Sequence, residues 1–143
     1  MTIASNFTDS QAITGLGTLT VDKGVTASLA SGSSFAAIYD YGTIVAAGSL
    51  SGPVNMEGDG AGSEVVFNAG TTAPVLTNFG TTDEVVVSGV AIPTGDGVSL
   101  SYSGGVLTEA VTNSSGATVS ANAVSLAGVA GTTLTLSLIH ISE

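Results

Sequence analysis

The apolar residues of this chain fall in short β-branched runs set between Gly, Ser, Asn and Asp, and nowhere do they recur at the three-to-four spacing of a helical face. That pattern predicts strands over 18–21, 25–29, 35–39, 43–46, 64–68, 74–78, 84–88, 98–102, 106–109, 118–121, 124–127 and 132–136. Strands this short and this numerous either repeat a simple unit or pair as hairpins.

Spacing favours the repeat. Val25, Val45, Val66, Val86, Val106 and Leu126 follow one another at intervals of 20, 21, 20, 20 and 20 residues. Local context recurs with them: in Gly42-Thr43-Ile44-Val45, Ser63-Glu64-Val65-Val66 and Asp83-Glu84-Val85-Val86 a small or polar pair precedes two apolar residues. A fixed period near twenty is the arithmetic of a solenoid, whose coils close as about three short strands joined by turns and stack at ~4.8 Å. The expected fold is all-β, a right-handed parallel β-helix or solenoid with about 20 residues per coil over 1–135. Val45, Val66, Val86 and Val106 are expected in one interior column. An antiparallel β-sandwich is the alternative, recognisable by hairpin pairing.

Composition agrees with the coil. The chain has 20 glycines for turns, and its three tyrosines, four phenylalanines and absent tryptophan are few for a sandwich core. With 43% hydrophobic residues it is too apolar for disorder. Eleven acids against one base, Lys23, give a net charge of −10, which repels phosphate backbones and anionic lipid. Nucleic acid is therefore excluded as a partner, and no apolar run is long enough for a bilayer-spanning helix, so membrane insertion is not expected. No cysteine is present, which removes disulfides and thiolate metal sites. The N-terminal residues lack the basic and apolar segments of a secretory signal peptide.

From Val75 onward the text is more specific. Asn78-Phe79, Asp83, Val85 to Val87, Gly89-Val90 and Tyr102-Ser103-Gly104-Gly105-Val106-Leu107-Thr108 follow in an order that resembles a recurring block of large glycine- and threonine-rich bacterial surface proteins. Tyr41-Gly42-Thr43-Ile44-Val45-Ala46-Ala47-Gly48 resembles a rung of autotransporter-type and haemagglutinin-like β-helical passengers. The two stretches cover roughly half of the chain, and neither motif is diagnostic of a chemistry. The resemblance implies an exported adhesin or exoprotein, secreted or at the bacterial cell surface, with glycans or proteins of a host or matrix surface as partners. The last eight residues, LSLIHISE over 136–143, resemble a translated sequencing adapter. They are expected to be an artefact tail on a fragment of a longer protein, one whose uncapped C-terminal coil self-associates.

Candidate chemistry is sparse. Asp59-Gly60-Ala61-Gly62-Ser63-Glu64 is a degenerate relative of a calcium-binding β-roll repeat, but one copy supplies too few oxygens, and an acidic turn between coils is the better reading. Asp83 and Glu84 are adjacent, so in a strand they point to opposite faces and do not form a catalytic pair. Asp40 between Tyr39 and Tyr41 suits either a sugar-binding acid and aromatic pair or, preferably, a turn carboxylate at the end of an aromatic ladder. Gly95-Asp96-Gly97 reads as a tight turn. His140, the single histidine, falls in the tail, so no base serves a nucleophilic serine. A polysaccharide lyase would want a cationic group, and Lys23 stands alone. No catalytic, cofactor or metal residue is expected, and the reading is a non-enzymatic structural and adhesive segment. The alternative is a carbohydrate-active β-helix, a lyase or a carboxylate-only hydrolase.

Overall fold

The computed structural model describes residues 1–56 and 62–129. All regular structure there is β, in the order β1 (Thr2–Ile3), β2 (Phe7–Thr8), β3 (Leu16–Val21), β4 (Thr26–Leu29), β5 (Phe35–Asp40), β6 (Thr43–Ala46), β7 (Val54–Met56), β8 (Glu64–Asn68), β9 (Leu76–Thr77), β10 (Glu84–Ser88), β11 (Gly97–Ser103), β12 (Val106–Thr112) and β13 (Thr118–Ala127). No helix among the described residues is long and apolar enough to cross a membrane.

Odd- and even-numbered strands up to β10 separate into two facing sheets. One runs β1-β3-β5-β7-β9 and the other β2-β4-β6-β8-β10, with every neighbour parallel. The chain passes from sheet to sheet and returns one rung higher, which is a β-solenoid. The repeat is elastic rather than fixed. Rungs advance by as few as 16 residues, from Tyr39 to Asn55, and as many as 22, from Asn55 to Thr77.

Each coil carries two strands, not the three expected. The third side passes through turns rich in Ser, Gly and Pro, which supply no β-branched face. Coil-to-coil bonds continue there all the same: Gly32 N donates to Ser49 O at 2.9 Å, Ser34 N to Ile13 O at 2.8 Å and Ser51 N to Ser33 O at 3.0 Å. Buried Ser33 donates its hydroxyl to Ala30 O at 2.9 Å and accepts from Ile13 N at 3.1 Å, so the backbone groups of this side stay partnered.

Parallel register turns strand alternation into interior columns. Leu19, Ile38, Val54, Leu76 and Leu126 form one, all buried. Across from it run Phe7, Ala27, Ile44, Val65 and Val85, and beside that Leu29, Ala46, Phe67 and Val87. Small and large side chains share a column, which fills the narrow space between the sheets.

The expected valine column needs correction on two counts. Val45, Val66 and Val86 do stack in register, but on the outward face; the buried residues are Ile44 and Ala46, then Val65 and Phe67. Pairs of adjacent apolar residues leave the phase open, and the ends of the strand decide it, because turning Val66 inward would also bury Glu64 and Asn68. Val25 and Val106 do not belong to that column. Ser28 is the partner of Val45, and Val106 pairs antiparallel with Ser125.

Beyond β10 the coil gives way to an antiparallel meander, so the solenoid expected over 1–135 does not extend through β11, β12 and β13. Ser103-Gly104-Gly105-Val106, which joins the strands expected over 98–102 and 106–109, is a two-residue hairpin in which Gly104 and Gly105 take φ 59 and 80, the left-handed pair that such a turn demands. The last residues of β13 rejoin the first sheet, Leu126 pairing parallel with Leu76, so the meander widens that sheet to eight strands. The strand expected over 132–136, the tail and its single histidine, and the self-associating coil end lie outside the described residues.

A direct check of the corrected register uses the absence of native cysteine. Pyrene on a Val45→Cys, Val66→Cys variant should give strong excimer emission, since these outward residues are direct neighbours at the ~4.8 Å strand spacing. The Val66→Cys, Val106→Cys pair should emit as isolated labels. Equal emission from both pairs would reject this register.

Candidate functional site

Two features of the coil stand out chemically: an acidic corner where the chain crosses between sheets, and an uncharged polar ladder on the outside of the first sheet.

The corner starts with Asp40. It is the last residue of β5, in register with Val21 below and Met56 above, so alternation turns it into an otherwise apolar column that begins at Ile3. It is 0% exposed. One carboxyl oxygen, Oδ1, accepts from Gly42 N at 3.0 Å, closing the β5 to β6 turn, while Oδ2 has no partner among the described residues. Its pKa is raised from 3.8 to about 7, chiefly by burial; the Gly42 bond works against the rise, and the charges of Asp83 and Glu64 add to it.

Asp83 has a structural task in the same corner. Its Oδ1 accepts from Ser63 N at 3.0 Å and its Oδ2 from Gly80 N at 2.7 Å, so it joins the turn before β10 to the rung below. Ser63, fully buried, donates its hydroxyl to Asp40 O at 2.6 Å. Glu64 and Glu84 begin β8 and β10 and stand directly opposite each other. Partial burial pushes the Glu64 carboxyl up, and the like charge of Glu84 adds to it. Like charges stacked this way weaken a ladder.

The expected sites sort out as follows. Asp40 does not meet Tyr39 and Tyr41 in a sugar-binding pair, because the carboxyl points inward while both rings are exposed. Asp83 is held by backbone N–H groups, and Glu84 lies on the exposed face of β10. Asp59 lies outside the described residues, and Glu64 stands next to Glu84 of the adjacent rung. The turn expected at Gly95-Asp96-Gly97 lies earlier, over Pro93-Thr94-Gly95-Asp96, with Asp96 N donating to Pro93 O at 3.0 Å and Gly95 at φ 92, while Gly97 already opens β11. Lys23 is exposed in the turn between β3 and β4. Among the described residues no three Asp, Glu, His or Cys side chains converge closely enough for a metal ion.

The burial of two carboxylates is not apparent from local sequence: Phe35-x-x-Ile38-x-Asp40 places Asp40 two residues beyond a core isoleucine, a matter of phase rather than of its tyrosine neighbours. Glu109 on β12 is 6% exposed and takes a bond from Asn122 Nδ2 at 3.4 Å; only the hairpin register reveals it.

The ladder is plainer. Thr2, Thr20, Tyr39, Asn55 and Thr77 succeed one another on the outward face of β1, β3, β5, β7 and β9. Thr77 Oγ1 donates to Asn55 Oδ1 at 3.3 Å and Asn78 Nδ2 to the same oxygen at 2.7 Å, with Asn78 at φ 54. In a chain of net charge −10, this strip carries no charge at all. No family model, curated protein or solved structure matches the chain, so the chemistry of these two features is what speaks to its function.

Proposed function

We propose that this chain serves a structural and adhesive role in a secreted or surface-attached bacterial protein, without catalytic activity of its own, and that its partners are glycans or proteins of a host or matrix surface. The observation that carries this reading is the uncharged ladder of Thr2, Thr20, Tyr39, Asn55 and Thr77 held in register by stacked coils. Hydroxyl, amide and a 37% exposed tyrosine ring at strand spacing form a stiff strip. Such a strip offers hydrogen bonds and a flat apolar face without charge, the chemistry that neutral glycans and polar protein surfaces accept. The coil strands that carry it, β1 to β10, are stacked in parallel register, which suits a load-bearing spacer.

Beads coated with the chain and washed under flow over immobilised neutral glycans and matrix proteins test this. Retention is expected on one of these surfaces, falling about tenfold, or by about 1.4 kcal/mol, for Tyr39→Ser, since an aromatic anchor loses roughly that much on truncation. Substituting Tyr102, exposed on the meander away from the ladder, should leave retention unchanged. Retention insensitive to Tyr39, or release of new reducing or unsaturated ends from a polysaccharide, would overturn the proposal, the latter in favour of a carbohydrate-active β-helix.

A further inference from the structure

We propose that Asp40 makes the middle of the coil stack a pH-sensitive joint, closed while its carboxyl is protonated and loosened when it ionises. The geometry is that of an acid in a place built for an apolar side chain. Asp40 lies between Val21 and Met56 in an interior column and is 0% exposed, and its carboxyl takes one hydrogen bond among the described residues, from Gly42 N to Oδ1. Oδ2 lacks any donor among the described residues. A charged carboxylate in that position wants several donors or a nearby cation, and a protonated one is far less costly to bury.

Among the described residues no element around the joint supplies such a cation. β3 contributes Val21, and the turn after it carries half-buried Asp22 and exposed Lys23. β7 contributes Met56. β8 brings Glu64 and the turn before β10 brings Asp83, and the charges of both oppose ionisation of Asp40. The three carboxyls belong to different coils. Ionisation therefore strains β5, β8 and the turn into β10 together, and the backbone bond from Glu64 N to Gly42 O at 2.9 Å is one link placed to open.

The direction of the effect follows from where the proton leaves. Unfolded, the carboxyl titrates near its ordinary 3.8; folded, burial holds the proton up to about 7. Between those values unfolding releases a proton, so each rise in pH favours the open form. The stabilisation is whole below the lower value and gone above the upper one.

Denaturant unfolding of the full chain and of Asp40→Asn, followed from pH 4 to pH 8.5, reads this out. Asparagine keeps the acceptor for Gly42 N and the volume but does not titrate, and every other acid remains as a control for general charge repulsion. The folded-to-unfolded ratio of the parent, relative to the variant, is expected to fall by up to about tenfold per pH unit within the window, the slope of one proton. Parallel profiles would overturn the proposal. Should Asp40→Asn fail to fold, the carboxyl carbon resonance of Asp40 in the parent decides instead: a midpoint near 7 supports the joint, and one near 4 refutes it. Amide exchange in β5, β6 and β8 should quicken above the midpoint in the parent, whereas uniform exchange across the coils would deny a local joint.

Discussion

Replacing Gly42 or Gly52 with alanine is expected to cost the coil about 3 kcal/mol or more in each case, a large part of the stability that a domain of this size has to lose. The reason at Gly42 is proximity between coils. A Cβ there would fall on the carbonyl oxygens of Asp22 and Val25 in the turn below. Neither carbonyl is free to retreat, since Asp22 O accepts from Val25 N at 3.1 Å and Val25 O from Thr43 N at 2.9 Å. At Gly52 the Cβ would strike Phe35 O, and φ 108 adds the cost of a backbone region closed to alanine, about 1–3 kcal/mol. Gly17→Ala is the matched control. Its Cβ meets nothing within 4 Å and its backbone is not left-handed, so stability should hold or rise slightly. Denaturant midpoints of the three variants test this, and a Gly42→Ala chain as stable as Gly17→Ala would mean that the coils stand further apart than the structure places them.

The architecture was legible because a coil leaves its mark on the sequence as period. The strands at Thr43–Ala46, Glu64–Asn68 and Glu84–Ser88 were expected at their observed bounds, and the stack of Val45, Val66 and Val86 followed from the interval alone. Phase is a different quantity from period. Ile44-Val45, Val65-Val66 and the run Val85 to Val87 look alike in either phase, and only the polar strand ends tell inside from outside. Counting valines at twenty residues also reached past the coil into the meander, where Val106 sits twenty residues on by accident of hairpin length. The break at Gly104-Gly105 between the strands expected over 98–102 and 106–109 was visible, but not that it joins them as an antiparallel hairpin. β1, β2 and β7 were missed because two or three residues do not establish an alternation. Their pairing comes from neighbouring rungs, and such tertiary support is not written locally.

The candidate features show the same divide. A tight turn around Gly95 is local chemistry and could be read, though it spans Pro93 to Asp96 rather than Gly95 to Gly97. The burial of Asp40 depends on which way β5 faces, and the ladder of Thr20, Tyr39, Asn55 and Thr77 depends on rungs of unequal length, 19, 16 and 22 residues apart. No single period connects those four residues, so the strip emerges only after folding.

Phase itself makes the sharpest remaining test. Phe67 is 1% exposed, with Ala46 beneath it and Val87 above in the same column, while the preceding Val66 faces outward. Phe67→Ala should therefore remove about 3–5 kcal/mol, the transfer energy of the ring plus the cavity it leaves. Little can collapse into that cavity. Ala46 is too short to reach it, and the strands on either side are fixed by their ladders. Val66→Ala should cost less than about 1 kcal/mol, the scale of a β-propensity change on an outward face. The two positions are adjacent and share every backbone neighbour, so secondary structure and general destabilisation of β8 cancel in the comparison. What remains is the direction of the side chain. Were Val66→Ala the more damaging of the two, the sheet would be turned over, Glu64 and Asn68 would lie in the core, and the inward column through Val65 and Phe67 would be wrong by one residue along its whole length.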